Sequence, residues 1–287
     1  MNKSKLSRFT VPAVVSLACA FLTAPSFADY CEPASSSSRS PYDNTTGNTR
    51  AALGVAKHQY QGDDGKYDCV SYSEMLNGEY ASNTTGGKDY FYFNNDANVG
   101  SSLYFKVNES VVSRTELRLQ SFQADSVTPS PRFSGTFKIR GSKAVRSEDF
   151  TVAQLHVDTN SSLTTDANVI TNSPMLRIAY IHSRDGIDNH FWAIFRPNPN
   201  DNGSGAYEYV SLGEAVTGAS NDNSFIMKYG TNSGTKIWVV ANGEATRFDI
   251  SQWKQDDIYI YHKAGCYTDG DVGDCQIQFT ELHKSNY

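Results

Sequence analysis

An all-β fold, a sandwich of two antiparallel sheets, is what this sequence predicts. Three observations carry the expectation. Short runs of β-branched and aromatic residues recur along the chain, and several alternate apolar with polar. Polar turn clusters separate them, as at Asn83-Thr84-Thr85-Gly86-Gly87, Asn198-Pro199-Asn200-Asp201-Asn202-Gly203 and Asn221-Asp222-Asn223. Helical periodicity is scarce: Val70–Asn77 and Ile250–Lys254 alone read as short helices.

From the N-terminus, residues 1–28 have the layout of a secretory signal peptide. Lys3, Lys5 and Arg8 precede the mostly apolar Val11–Leu22, and small residues lead to Ala28. A spanning helix needs about 20 apolar residues, more than this run supplies. The expectation is export, extracellular or periplasmic, with no membrane association after cleavage. Residues 29–49 form a Ser/Thr/Asn-rich lead-in, of which Pro33–Asn48 reads as extended. Residues 50–287 form one domain. Its strand-like runs are Ser102–Val107, Thr115–Phe122, Gly135–Arg140, Thr151–Val157, Met175–His182, Phe191–Arg196, Phe225–Tyr229, Lys236–Val240 and Ile258–His262. Asn242-Gly243 sits between two strand-like halves and predicts a tight hairpin.

The formal charge is −6, and removal of Lys3, Lys5 and Arg8 with the signal makes it −9. An acidic protein is a poor candidate for nonspecific nucleic-acid binding. Any acidic ligand must meet positive potential concentrated in one cleft. The mature chain keeps Cys31, Cys69, Cys266 and Cys275. Four cysteines in an exported protein suggest two disulfides, and three pairings are possible. Cys31–Cys69 with Cys266–Cys275 is the preferred set, because the second pair closes a short loop holding Gly270 and Gly273. No His pair has metal-ligand spacing with supporting carboxylates. Asp185, Asp188 and His190 are the nearest to a cluster, and they read as a polar turn around Gly186. No metal and no cofactor is expected.

Three segments place unusual polar residues on one face of a strand, where side chains repeat every second residue. In Ser113-Arg114-Thr115-Glu116-Leu117-Arg118-Leu119, Arg114, Glu116 and Arg118 share a face, and Thr115, Leu117 and Leu119 the other. Guanidinium forks suit a ligand carboxylate, and Glu116 can orient both of them. In Val152-Ala153-Gln154-Leu155-His156-Val157, Gln154 and His156 share a face. An amide and an imidazole side by side can donate to a carboxylate or accept a proton. In Ile258–Tyr267, Tyr259, Tyr261, Lys263, Gly265 and Tyr267 have one parity, and Gly265 leaves room for a bulky ligand. A cation beside a tyrosine hydroxyl makes it a usable proton carrier.

Together and in this order, Arg114-Thr-Glu-Leu-Arg118, Gln154-Leu-His156 and Tyr261-His-Lys-Ala-Gly-Cys-Tyr267 resemble the three signature segments of polysaccharide lyase family 7, the alginate lyases. Phe248-Asp249-Ile250-Ser251-Gln252-Trp253 resembles the stretch before the last of them, and the resemblance runs from about Tyr90 to the C-terminus. It implies a β-jelly-roll with a concave substrate groove. It implies Arg114, Gln154, His156 and Tyr267 as catalytic residues, and Glu116, Arg118 and Lys263 as substrate-binding residues. His262 replaces the family's Phe, Thr268-Asp269 its Asn-Gln, and Leu155 its Ile or Val.

The expected function is that of a secreted, endo-acting lyase, monomeric, whose partner is an anionic polysaccharide. It cuts a 4-O-linked uronate polymer, alginate first, by β-elimination, leaving a C4–C5 double bond. Neutralising the carboxylate lets charge flow into it as the C5 proton leaves. The alternatives are a lyase for another polyuronate such as glucuronan, and a noncatalytic carbohydrate-binding jelly roll.

Overall fold

In a computed structural model, the structure describes residues 33–35, 38–61, 67–83, 88–96, 100–107, 114–125, 129–140, 149–159, 173–201, 206–218, 220–254, 258–268 and 275–286. The signal segment, Cys31 and the loop with Gly270 and Gly273 lie outside them.

Two antiparallel sheets face each other. The first orders β17 (Glu244–Asp249), β16 (Lys236–Ala241), β15 (Asn223–Gly230), β10 (Arg132–Arg140), β19 (Cys275–Ser285), β7 (Gly100–Val107) and β6 (Phe91–Asp96). The second orders β14 (Glu208–Glu214), β13 (Ile187–Phe195), β12 (Pro174–Arg184), β11 (Phe150–Val157), β18 (Tyr259–Tyr267), β8 (Arg114–Leu119), β2 (Ala56–Gln61) and β3 (Tyr67–Val70). A short β9 (Phe122–Gln123) also pairs with β18. A separate three-stranded sheet joins β1 (Pro33–Ser35), β4 (Glu79–Asn83) and β5 (Lys88–Asp89). Chain neighbours in the sheets are often far apart in sequence, which is the jelly-roll crossover pattern.

Period-2 patterning drives the sandwich. Leu117, Leu119, Leu155, Val157 and Ile260 from the second sheet are buried against Phe105, Phe133, Phe137, Phe225 and Phe279 from the first. The predicted Asn242-Gly243 hairpin joins β16 to β17 with both residues at positive φ, 46° and 88°. Asp185-Gly186 makes the same two-residue connection from β12 to β13, with φ of 54° and 78°. The twist of such turns matches that of the flanking strands.

The expected short helices are α3 (Tyr72–Leu76) and a 3-10 turn at Ser251–Trp253. Ser71 and Glu74 form a capping box on α3. The lead-in differs from its extended reading. Besides β1, it holds α1 (Pro41–Asn44) and the start of α2 (Gly47–Leu53). Ser40 caps α1 by accepting from the Asp43 amide at 3.3 Å, and Pro41 occupies the first turn, where no amide donor is needed. The Thr49 hydroxyl accepts from the Leu282 amide at 3.1 Å, which ties α2 to β19. A Ser-Pro start signal and one buried face outweigh a disorder-like composition.

Candidate active site

The three polar segments occupy adjacent strands at the middle of the second sheet. β18 pairs with β8 on one side and β11 on the other. Register sets Tyr267 opposite Arg114, Lys263 opposite Arg118, Gln154 opposite Lys263, and His156 opposite Tyr261. All seven residues named from the sequence therefore lie on one face, turned away from the core.

Glu116 is the knot between the strands. It is 1% exposed. Its carboxylate accepts from the Gln154 amide and from Lys263 Nζ at 3.2 Å, and Arg114 Nε lies 3.9 Å away. Glu116 and Lys263, expected to contact ligand, are both buried and paired with each other. Burial pushes the Lys263 ammonium down to about 8, with Arg114 and Arg118 acting the same way and Glu116 opposing. Arg114 is more open, and its guanidinium lies 4.8 Å from the centre of the Tyr267 ring.

His156 donates from Nδ1 to the Val157 carbonyl at 2.8 Å, since a carbonyl can only accept. Burial, then the nearby Lys263, hold the ring well below the usual histidine range, at about 3. The imidazole is therefore neutral at ordinary pH, with the lone pair on Nε2. Its ring stacks on Tyr261 at 5.4 Å and 16°.

Three participants escape the motif reading. Arg118 does not share Glu116. It pairs with Asp158 at 2.7 Å, and Ser121 donates to the same Asp158 oxygen at 2.5 Å. Arg118 also lies 3.8 Å over the Tyr261 ring. Asp158 continues the parity of Gln154 and His156, so extending that alternation by one step would have found it. Ser121 lies beyond β8 and has no sequence signal. Tyr261 belongs to the same-parity run, which by itself gives it no role.

Gly265 departs from its expected purpose. Its φ is 152°, and a Cβ there would collide with the Thr115 carbonyl oxygen and sit 2.7 Å from Glu116 Cα. Close approach of β8, not ligand room, requires glycine. His262 faces inward, stacked 5.5 Å from Phe122 in the aromatic core.

The Cys266–Cys275 disulfide is present and ties β18 to β19 across the sandwich, with Cα atoms 6.1 Å apart. The expected partner of buried Cys69, Cys31, lies outside the described residues. Among the described residues no group of three or more His, Cys, Asp or Glu side chains is placed to hold a metal. His190 Nδ1 donates instead to the Asp188 carbonyl at 2.7 Å.

The sequence profile of a family described as alginate lyase matches residues 53–286. The chain belongs to the alginate lyase family. It shares its fold with solved alginate lyases. The alginate lyase AlyC3 superposes with a TM-score of 0.65 at 20% identity, covering 88% of this chain and 98% of that one. A family 7 alginate lyase, A1-II', in complex with product GGG gives 0.59 at 16% identity, covering 86% and 99%. The Pseudomonas aeruginosa lyase PA1167 gives 0.58 at 19%, covering 82% and 99%. No curated protein matches the chain. This alginate lyase family member is thus a polysaccharide lyase on a jelly-roll scaffold, as its three motif segments implied.

Proposed function

We propose that the protein cleaves alginate endolytically, using Arg114, Gln154, His156 and Tyr267 on one uronate residue. Arg114 and the second amide hydrogen of Gln154 offset the charge of the substrate carboxylate. The C5 proton then becomes removable, and its electron pair delocalises toward that carboxylate. His156 Nε2 takes the proton. The electron pair forms the C4–C5 double bond as the C4–O bond breaks, and the Tyr267 hydroxyl protonates the leaving oxygen. Where proton and leaving group lie on the same side of the ring, Tyr267 can serve both steps. Glu116 and Lys263 hold Gln154 and the strands in place beneath.

The observation that carries this reading is the place of His156, with Nδ1 turned to the Val157 carbonyl at 2.8 Å and its ring on the same face as Arg114 and Tyr267; burial then favours the neutral imidazole. A base must be unprotonated before it can act. Secretion through residues 1–28, with the mature chain acting as a monomer, belongs to the same proposal and is supported by the signal-like N-terminus.

The test is digestion of alginate and of block-defined polyuronates, followed by ultraviolet absorbance of unsaturated ends and product sizing. Tyr267→Phe should lower kcat by at least about a hundredfold while binding persists, the range for loss of a general acid. Near-normal turnover by Tyr267→Phe removes that role. Silence of the unsubstituted protein on every uronate polymer removes the reaction.

A further inference from the structure

We infer that the outward face of β12, β13 and β14 holds a second carboxylate-binding subsite, about three sugar units from the bond that is cut. This rests on the reading of that face as a groove for a uronate polymer.

Cross-strand register supplies the ruler. One continuous row runs Arg114, Tyr267, Thr151, Ala179, Trp192, Ser211. A second row runs Arg118, Lys263, Gln154, Arg177, Ile194, Tyr209, and a register shift after Thr151 brings the two rows closer together over β12, β13 and β14. Neighbouring strands stand ~4.8 Å apart, and a 1,4-linked pyranose advances its polymer by close to that spacing. A polymer lying along these rows therefore sets about one uronate over each strand. Trp192 is three strands from Tyr267.

The face changes character there. Ala179, Ile181, Trp192 and Ile194 form an apolar cluster of their own, alternating along their strands with residues of the main core. Arginines and tyrosines cover it. The Arg184 guanidinium lies 3.4 Å from the Tyr209 ring centre and 5.6 Å from that of Trp192. Arg177 lies 5.9 Å from the Tyr207 ring centre. An apolar, aromatic floor accepts the C–H face of a sugar, and guanidinium forks accept its carboxylate.

Two further facts point to a ligand. Trp192 is 3% exposed, and its Nε1 donor is buried without a hydrogen-bond partner among the described residues. Such a donor gains a partner when a sugar oxygen arrives and Arg184 swings toward its carboxylate. The carboxylate now on Arg184 is Asp185, at 3.4 Å and mostly exposed, a contact that a bound uronate displaces at little cost.

Alginate oligomers of defined length test the proposal. The measured quantity is the ratio of kcat/KM on an octamer to that on a trimer, for the unsubstituted protein, Arg184→Ala and Tyr209→Ala. Both side chains are partly exposed, and thermal melting confirms that each variant folds. The octamer should be favoured by the unsubstituted protein, and each substitution should lower the ratio about tenfold, the loss of one charge-assisted or stacking contact. A ratio that stays the same in both variants, or rates that fall equally at both lengths, overturns the subsite. An unsubstituted protein that cleaves neither oligomer overturns the lyase reading and the subsite with it.

Discussion

The Asp158 carboxylate is the residue on which the proposed base, His156, depends without touching it. It fixes Arg118 at 2.7 Å, Arg118 lies 3.8 Å over the Tyr261 ring, and Tyr261 stacks on the His156 ring. Asp158→Asn leaves a largely buried guanidinium uncompensated, a loss of about 3 kcal/mol in stability. Misplacement of the imidazole should also lower kcat roughly tenfold or more, with KM little changed. Urea titration and steady-state kinetics read the two separately, and a stability loss with kcat intact would make Asp158 purely structural. Lys263 sets a second expectation. Its charge is lost as pH rises through about 8, so Glu116 then loses its nearer counter-ion and activity should fall. Lys263→Arg should move that alkaline limb upward in a pH–rate profile, because guanidinium stays charged. The stability effect has the opposite sign. Burying the charged amine costs most below about 8, and the cost fades between there and the ordinary lysine value.

Strands impose the geometry that these side chains exploit. Alternation puts every second residue of β8, β11 and β18 on the outward face, and antiparallel register decides which residues meet. A slip of one residue would send Arg114, Gln154 and His156 into the core. Register is pinned by the inward Leu117, Leu155 and Ile260 and by the close approach of β8 to Gly265. Gly265→Ala should therefore destabilise the fold by at least about 3 kcal/mol, through a Cβ forced against Thr115 and Glu116 and a left-handed φ. A denaturation midpoint close to that of the unsubstituted protein would show that β8 and β18 can part without loss.

Across the molecule, three imidazoles are buried neutral. His58, His156 and His262 are each held down to about 3, with burial the first cause. The unfolded chain binds protons at these sites near pH 6.5, and the folded chain does not. Stability is therefore present above that value and is lost as pH falls from it toward 3. Each imidazole contributes up to ~1.4 kcal/mol per pH unit in that window. Urea midpoints measured between pH 7 and 5 should fall steeply, and His262→Phe, which keeps the aromatic contact with Phe122, should flatten the decline. A decline as steep in the variant as in the unsubstituted protein would assign the acid sensitivity to other groups.

The sequence by itself determined the sheets, the two-residue turns and the outward row of polar groups, because each is a local matter of period-2 alternation or turn chemistry. The three segments also place Arg114, Gln154, His156 and Tyr267 on outward strand faces by alternation alone. Only the tertiary structure decided what those groups do to one another. Arg118 goes to Asp158 and Lys263 to Glu116, Gly265 serves strand contact, and the lead-in folds back through α1 and α2. Those outcomes depend on cross-strand register and burial, which join residues scores of positions apart. A sequence states which side of a strand a residue occupies, whereas the neighbours it finds there are set by how the strands pair.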